Sequence, residues 1–125
     1  MLRAKRLKVG IAGYGVVGKK RKLCADLNEH LEVIAVCDKR FGVSDVAPKG
    51  VKAFANYEQL LEEELDILIV CMTNEIAPTV VKAALKRGIH VFCEKPPGRD
   101  VGDLLEVIEV EQKSNGLKLM YGFNH

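Results

Sequence analysis

The chain has 125 residues, enough for one domain with a core of its own, and its 48% apolar and 29% charged residues place it among soluble globular proteins. A formal charge of +2 is too small to draw nucleic acid by bulk electrostatics. No apolar run approaches the ~18–20 residues that span a bilayer, and the basic start Met1–Lys8 leads only into the short run Val9–Ala12, too brief and too interrupted by glycine for a signal peptide.

In chain order, Leu7–Ala12 reads as a buried strand, and Val16, Val17, Leu23, Cys24, Leu27 and Leu31 then recur at helical spacing. Glu32–Cys37 is a second, β-branched strand, and Val51–Phe54 a short weaker one. Asn56 suits a helix N-cap, with Gln59 three residues on and Leu60, Leu61 and Leu65 beyond. Asp66–Cys71 is the most continuous apolar run, as expected of a central parallel strand buried on both faces.

The next helix is predicted from about Ile76 to Arg87, with Pro78 in its first turn, Lys86 and Arg87 at its C-terminus and Gly88 as the stop. His90–Cys93 is a strand. Asp100 caps a helix carrying Val101, Leu104, Leu105 and Ile108, which ends at Asn115-Gly116, and Leu117–Tyr121 is the last strand. Strands alternating with helices imply a doubly wound α/β fold, a mostly parallel six-stranded sheet with helices on both faces, over one domain, residues 1–125.

The chemistry centres on Gly13-Tyr14-Gly15-Val16-Val17-Gly18. This G-x-G-x-x-G follows a strand, opens a helix, and has Asp38 twenty residues beyond Gly18 at the end of the second strand. In the Rossmann reading Gly13 permits the tight turn, Gly15 lets backbone approach a pyrophosphate, and Gly18 allows helix to pack on strand. The helix N–H groups and dipole face the phosphates, and Asp38 takes the adenosine ribose hydroxyls. A plain strand-to-helix turn and a methyltransferase site are the alternatives. Asp38 favours NAD, because a carboxylate repels the 2′-phosphate of NADP; Lys39 and Arg40 argue the other way, since either can pair with it. Lys19-Lys20-Arg21-Lys22 reads as solvated surface charge, with added field at the pyrophosphate or an import signal as the other readings. Cys24, Cys37, Cys71 and Cys93 form no metal-like cluster and read as buried, reduced thiols of a cytoplasmic protein.

Gly88-Ile89-His90-Val91-Phe92-Cys93-Glu94-Lys95-Pro96 resembles the G-x-H-V-x-x-E-K-P segment of the glucose–fructose oxidoreductase, inositol dehydrogenase and rhizopine-catabolism (Gfo/Idh/MocA) family. The glycine turn, Asp38, the Tyr57–Leu61 helix, the Asp66–Cys71 strand and the ending Tyr121–His125 match in the same order. One stretch departs: where the family shows T-P-N-x-x-H, this chain has Thr73-Asn74-Glu75-Ile76-Ala77 after Met72, keeping Asn74 but not the proline or histidine. The resemblance implies an NAD(P)-dependent oxidoreductase acting on a sugar, sugar nucleotide, cyclitol or related polyol. Lys95 would be its active-site lysine, Glu94 would lie near the nicotinamide, and Met72 and Asn74 would lie near the cofactor, Asn74 with helix capping as its alternative. A non-catalytic NAD(P)-sensing or scaffold protein of the same fold is the other function class. Family members carry a second α/β domain with most substrate contacts and a further catalytic histidine, and often form homo-oligomers through it. The chain ends at His125 just past a strand, which reads as an interruption of a longer protein; none of His30, His90 or His125 stands in for the missing histidine. The expectation is therefore a domain that binds cofactor without turning over substrate.

Overall fold

The computed structural model describes residues 6–41 and 48–94 and the backbone of 119–122. Nine elements follow in order: β1 (Leu7–Ala12), α1 (Val16–Asp26), β2 (Leu31–Cys37), β3 (Lys52–Phe54), α2 (Tyr57–Leu60), β4 (Ile67–Val70), α3 (Ala77–Lys86), β5 (His90–Glu94) and β6 (Leu119–Gly122). The six strands form one sheet in the order β3-β2-β1-β4-β5-β6, every neighbouring pair parallel. The sheet therefore runs outward from β1 in one direction and from β4 in the other. Crossovers from the two halves diverge at β1/β4, which opens a crevice at the carboxyl ends of those strands. Ala12 pairs with both Cys37 and Val70, so β1, β2 and β4 end level with one another at that crevice.

Alternating side chains divide the core in two. Leu68 and Val70 of β4, Ala12 of β1 and Val91 and Cys93 of β5 are buried under α2 and α3, together with Leu60, Leu61 and Leu65. Val9, Ile11, Val33 and Val36 lie on the opposite face with Tyr14, Ala25 and Phe41, and Ile67 and Ile69 pack against them. The alternation slips once in β2: Val9 pairs with Val33, but Gly10 pairs with Ala35. This bulge puts both Ile34 and Ala35 on the α2–α3 side and resets the rest of the strand. Cys37 thus points into the α2–α3 core, and Asp38 follows it at the strand's end.

α3 is the well-signalled helix. Ala77, Pro78, Val80, Val81, Ala84 and Leu85 form its buried stripe, Pro78 sits in the first turn, and Arg87 is the C-cap before Gly88. At α2, Asn56 Oδ1 accepts from Gln59 N at 2.9 Å, the capping bond its sequence position foretold, although only Tyr57–Leu60 are helical before the chain turns.

α1 differs from its sequence reading. Val16, Leu23 and Leu27 are 72%, 66% and 88% exposed, so the apolar stripe points away from the sheet. The helix instead buries Gly18 and Ala25, with Arg21 and Lys22 half-covered beside them. The cause is distance: a Cβ at Gly18 would overlap the Gly13 carbonyl oxygen, so the helix lies on the turn through its smallest residues. Cys24, on this outward side, is exposed rather than buried. Leu31 starts β2 instead of ending the helix. The predicted helix after Asp100 lies outside the described residues.

Candidate cofactor site

β1 leaves the sheet at Ala12, and the chain reverses at Gly13, whose φ of +94° strains any residue with a side chain. A Cβ there would also collide with the Cys71 carbonyl beyond β4. Two backbone bonds fix the turn between its neighbours: Gly13 N donates to Cys37 O at 2.8 Å, and Cys71 N donates to Ala12 O at 2.7 Å. Gly15 then forms the N-cap of α1 in extended backbone, with no side chain accepting from the first turn and no acidic residue in it. The N–H groups that open a helix have no partner within it. At this end the backbone is open: a Cβ on Gly15 would meet only the Arg40 guanidinium, at 4.0 Å. Val16 and Val17 contribute to this end as backbone, their side chains standing exposed and partly exposed.

Asp38 lies directly against the turn: its Oδ2 accepts from Tyr14 N at 2.8 Å. Arg40 holds the same carboxylate, donating from Nε to Oδ1 at 2.9 Å and from Nη2 to Oδ2 at 3.1 Å, while its own backbone N donates to Oδ1 at 3.0 Å. The Arg40 hydrogen bond, offset in part by burial and aided by the backbone donors, pulls the Asp38 carboxyl down to about 2. Arg40 Nη2 also donates to Tyr14 O at 2.8 Å, so both polar backbone groups of Tyr14 are engaged within the chain. The Tyr14 ring turns into the core beside Phe41, centroids 6.0 Å apart.

A cleft of about 470 Å³ opens here, lined by Gly13, Gly15, Asp38 and Lys39 on one side and by Asn56, Tyr57, Met72 and Thr73 on the other. The sequence reading included Gly13, Gly15, Asp38, Lys39 and Met72. It missed Asn56, Tyr57 and Thr73, which it read only as a helix start and as part of the stretch that departs from the family pattern. Asn74 is half-buried outside this lining, and it does not cap α3, whose N-cap is Ile76 without a side-chain bond.

Glu94 stands apart from the cleft lining. It is the one buried charged residue among the described residues, 8% exposed at the end of β5, and it is ion-paired with Arg21 of α1. Arg21 lies over the Phe92 ring at 5.3 Å, and its bond to Glu94 raises its pKa. Arg21, the third residue of the basic run Lys19–Lys22, is therefore a structural partner of β5, not solvated charge. Lys95 lies outside the described residues. Burial pushes the Cys37 thiol up to about 11 and those of Cys71 and Cys93 up to about 12, which leaves them protonated near neutrality. Among the described residues no cluster of His, Cys, Asp and Glu could hold a metal ion, and no helix is long and apolar enough to cross a membrane.

A parallel sheet with its switch point at β1/β4, a positive-φ glycine turn, an uncapped helix start and an acid at the end of β2 define a dinucleotide-binding Rossmann domain. Residues 7–123 match the model of the oxidoreductase family GFO_IDH_MocA, described by its NAD-binding Rossmann fold, and the chain belongs to that family. It is 33% identical to the inositol 2-dehydrogenase of Salmonella paratyphi B over 123 residues, covering 94% of this chain and 37% of that protein. It is 30% identical to the D-glucoside 3-dehydrogenase of Escherichia coli over 124 residues, covering 95% of this chain and 35% of that protein. The crystal structure of Lactobacillus casei scyllo-inositol dehydrogenase with NAD(H) and scyllo-inositol superposes with a TM-score of 0.82 at 22% identity, over 94% of this chain and 36% of that one, a likeness of fold. The chain thus spans little more than a third of the length of these relatives.

Proposed function

We propose that this chain is the cofactor-binding part of an NAD(P)-dependent dehydrogenase that oxidises a CH–OH group of a cyclitol or sugar. The observation that carries the reading is the Asp38–Tyr14 N bond, which sets an ionised acid beside the uncapped start of α1. The amides of Val16 and Val17 would hold the pyrophosphate, with Gly13, Gly15 and Gly18 giving it room. Asp38 and Lys39 would face the adenosine ribose, and Met72 and Asn74 the middle of the cofactor. Glu94, held by Arg21, would mark the nicotinamide end. A bound nicotinamide supplies a hydride acceptor. The resemblance around Glu94-Lys95-Pro96 supports Lys95 as the group that shares the proton of the substrate hydroxyl. The inositol and glucoside dehydrogenases among the relatives support a polyol substrate, their greater length supports a second domain, and the family resemblance implies that such a domain would carry the substrate contacts and a homo-oligomer interface. A soluble, cytoplasmic setting with reduced thiols completes the reading.

The test has two stages. NADH titrated into the chain, followed by nicotinamide fluorescence, should give saturable binding that Gly15→Asp abolishes. A longer polypeptide containing this domain should reduce NAD or NADP with myo-inositol or a glucoside. Cofactor binding without turnover over a panel of polyols would favour a sensor, and absence of dinucleotide binding would overturn the proposal.

A further inference from the structure

α1 turns its apolar side away from the sheet and leaves it bare. At about 100° per residue, Lys20, Leu23 and Leu27 fall on one line along the helix, opposite Gly18 and Ala25, which seat it on the sheet. Single exposed leucines are ordinary, but Leu23 and Leu27 stand one turn apart on the same outward line and are 66% and 88% exposed. The charges beside them are sorted by sign. Lys19 and Lys20 lie toward the start of the helix, Asp26 closes it, and the first turn holds no acid and the last turn no base. Each sign therefore sits toward the end of the helix dipole that disfavours it. Lys22 Nζ donates to Asp26 Oδ2 at 2.6 Å, and the Asp26 side chain remains 42% exposed.

We infer that this face of α1 takes a second copy of the same chain, the two helices packing antiparallel about a two-fold axis near Leu23. Such an axis makes the contact self-complementary. Lys19 and Asp26 lie about two turns apart on one flank, with Leu23 near the middle. Antiparallel pairing brings Lys19 of each copy to Asp26 of the other, and the leucines meet between them. It also sets opposite ends of the two dipoles side by side, so the signs that α1 mismatches alone are matched across the axis. Parallel pairing would set lysine against lysine. With 11 residues α1 is about 16 Å long, a small contact, so the dimer should be weak, with a dissociation constant on the order of 100 µM. The inference stands apart from the dinucleotide reading and from any interface in a second domain.

Sedimentation velocity of the chain from about 10 µM to about 1 mM should show a monomer–dimer equilibrium that added salt weakens. Leu23→Gln should weaken the dimer about 10-fold or more and Lys19→Glu about 5-fold, while Lys19→Glu combined with Asp26→Lys should restore it to within about 3-fold. Lys19→Glu suits the helix dipole better than lysine does, so its urea midpoint in dilute solution should hold or rise while its dimer weakens. Circular dichroism confirms that each variant is folded, and Leu23→Gln carries the test if a charge variant is not. Cys24 is exposed on the other flank of the same face, and its labelling by a maleimide should slow as the dimer forms. A monomer throughout the range, or a dimer indifferent to both Leu23→Gln and Lys19→Glu, would overturn the inference. So would a monomeric chain whose Cys24 is shielded only within a longer polypeptide, since the face would then belong to the remainder of that polypeptide.

Discussion

Asp38 couples the glycine turn to protonation. Its carboxyl titrates near 2 in the folded chain, against about 4 when unfolded. The depressed value means that the stabilisation is fully present above about pH 4 and is lost as pH falls through the folded value. Because Arg40 is partly solvated, the effect is on the order of 1 kcal/mol. Urea unfolding of the chain and of Asp38→Asn from pH 7 to pH 2 should show the two curves converging below about pH 4; parallel curves would refute the coupling. Gly18 acts by contact instead of charge. A methyl group there meets backbone, the Gly13 carbonyl, which cannot swing away as a side chain can. Gly18→Ala should cost about 1–3 kcal/mol in chemical denaturation and weaken NADH binding, since relief requires α1 to lift from the turn. The glycine spacing and Asp38 were legible in the sequence because each answers a steric or hydrogen-bonding need that only one or two residue types meet. The Arg40 fork was legible only as a charge near the ribose. Its closure over Asp38 depends on the turn that brings Phe41 N to Asp38 O at 3.0 Å.

Among the elements, α3 and α1 show where hydrophobic periodicity succeeds and fails. In α3 the apolar stripe, the early proline and the stop at Gly88 all favour one face and one length. In α1 the apolar stripe and the sheet-facing stripe are different sets of residues. Val16, Leu23 and Leu27 recur at helical spacing, but Gly18 and Ala25 recur on the opposite side, and closeness to the sheet selects the small pair. The sequence pattern contains both stripes, and only the packing distance tells them apart. Leu23→Gln should therefore change stability by no more than about 0.5 kcal/mol, whereas Ala25→Leu, overfilling a site 3% exposed, should cost about 1–3 kcal/mol. The reverse ranking in urea denaturation would restore the sequence-derived face. Arg21 is the polar counterpart of this close packing, since a helix so near the sheet lets its guanidinium reach Glu94 across Phe92. Arg21→Ala would leave a buried carboxylate without its cation, a loss of about 1–3 kcal/mol that Glu94→Gln in the same chain should partly restore.

For the whole molecule, the proposed function divides binding from chemistry along the width of the sheet. The turn after β1 and the end of β2 hold the groups proposed to bind a dinucleotide, while Glu94 ends β5, two strands away from β1 across β4. A cofactor bound at the first would extend toward the second, where the Glu94-Lys95-Pro96 segment follows. On the proposed function, binding would need only the described framework, whereas oxidation of an alcohol would also need a second wall that orients the substrate and excludes water. The chain alone should bind NADH and show no reduction of NAD with myo-inositol, whereas the longer polypeptide should show both. In that longer form Lys95→Ala should lower kcat by about 100-fold or more while the dissociation constant of NADH changes by less than about 3-fold, the pattern of a lost proton-transfer group. Stopped-flow fluorescence separates the two quantities. An equal loss in cofactor affinity would make Lys95 a binding residue, and unchanged turnover would remove it from the chemistry.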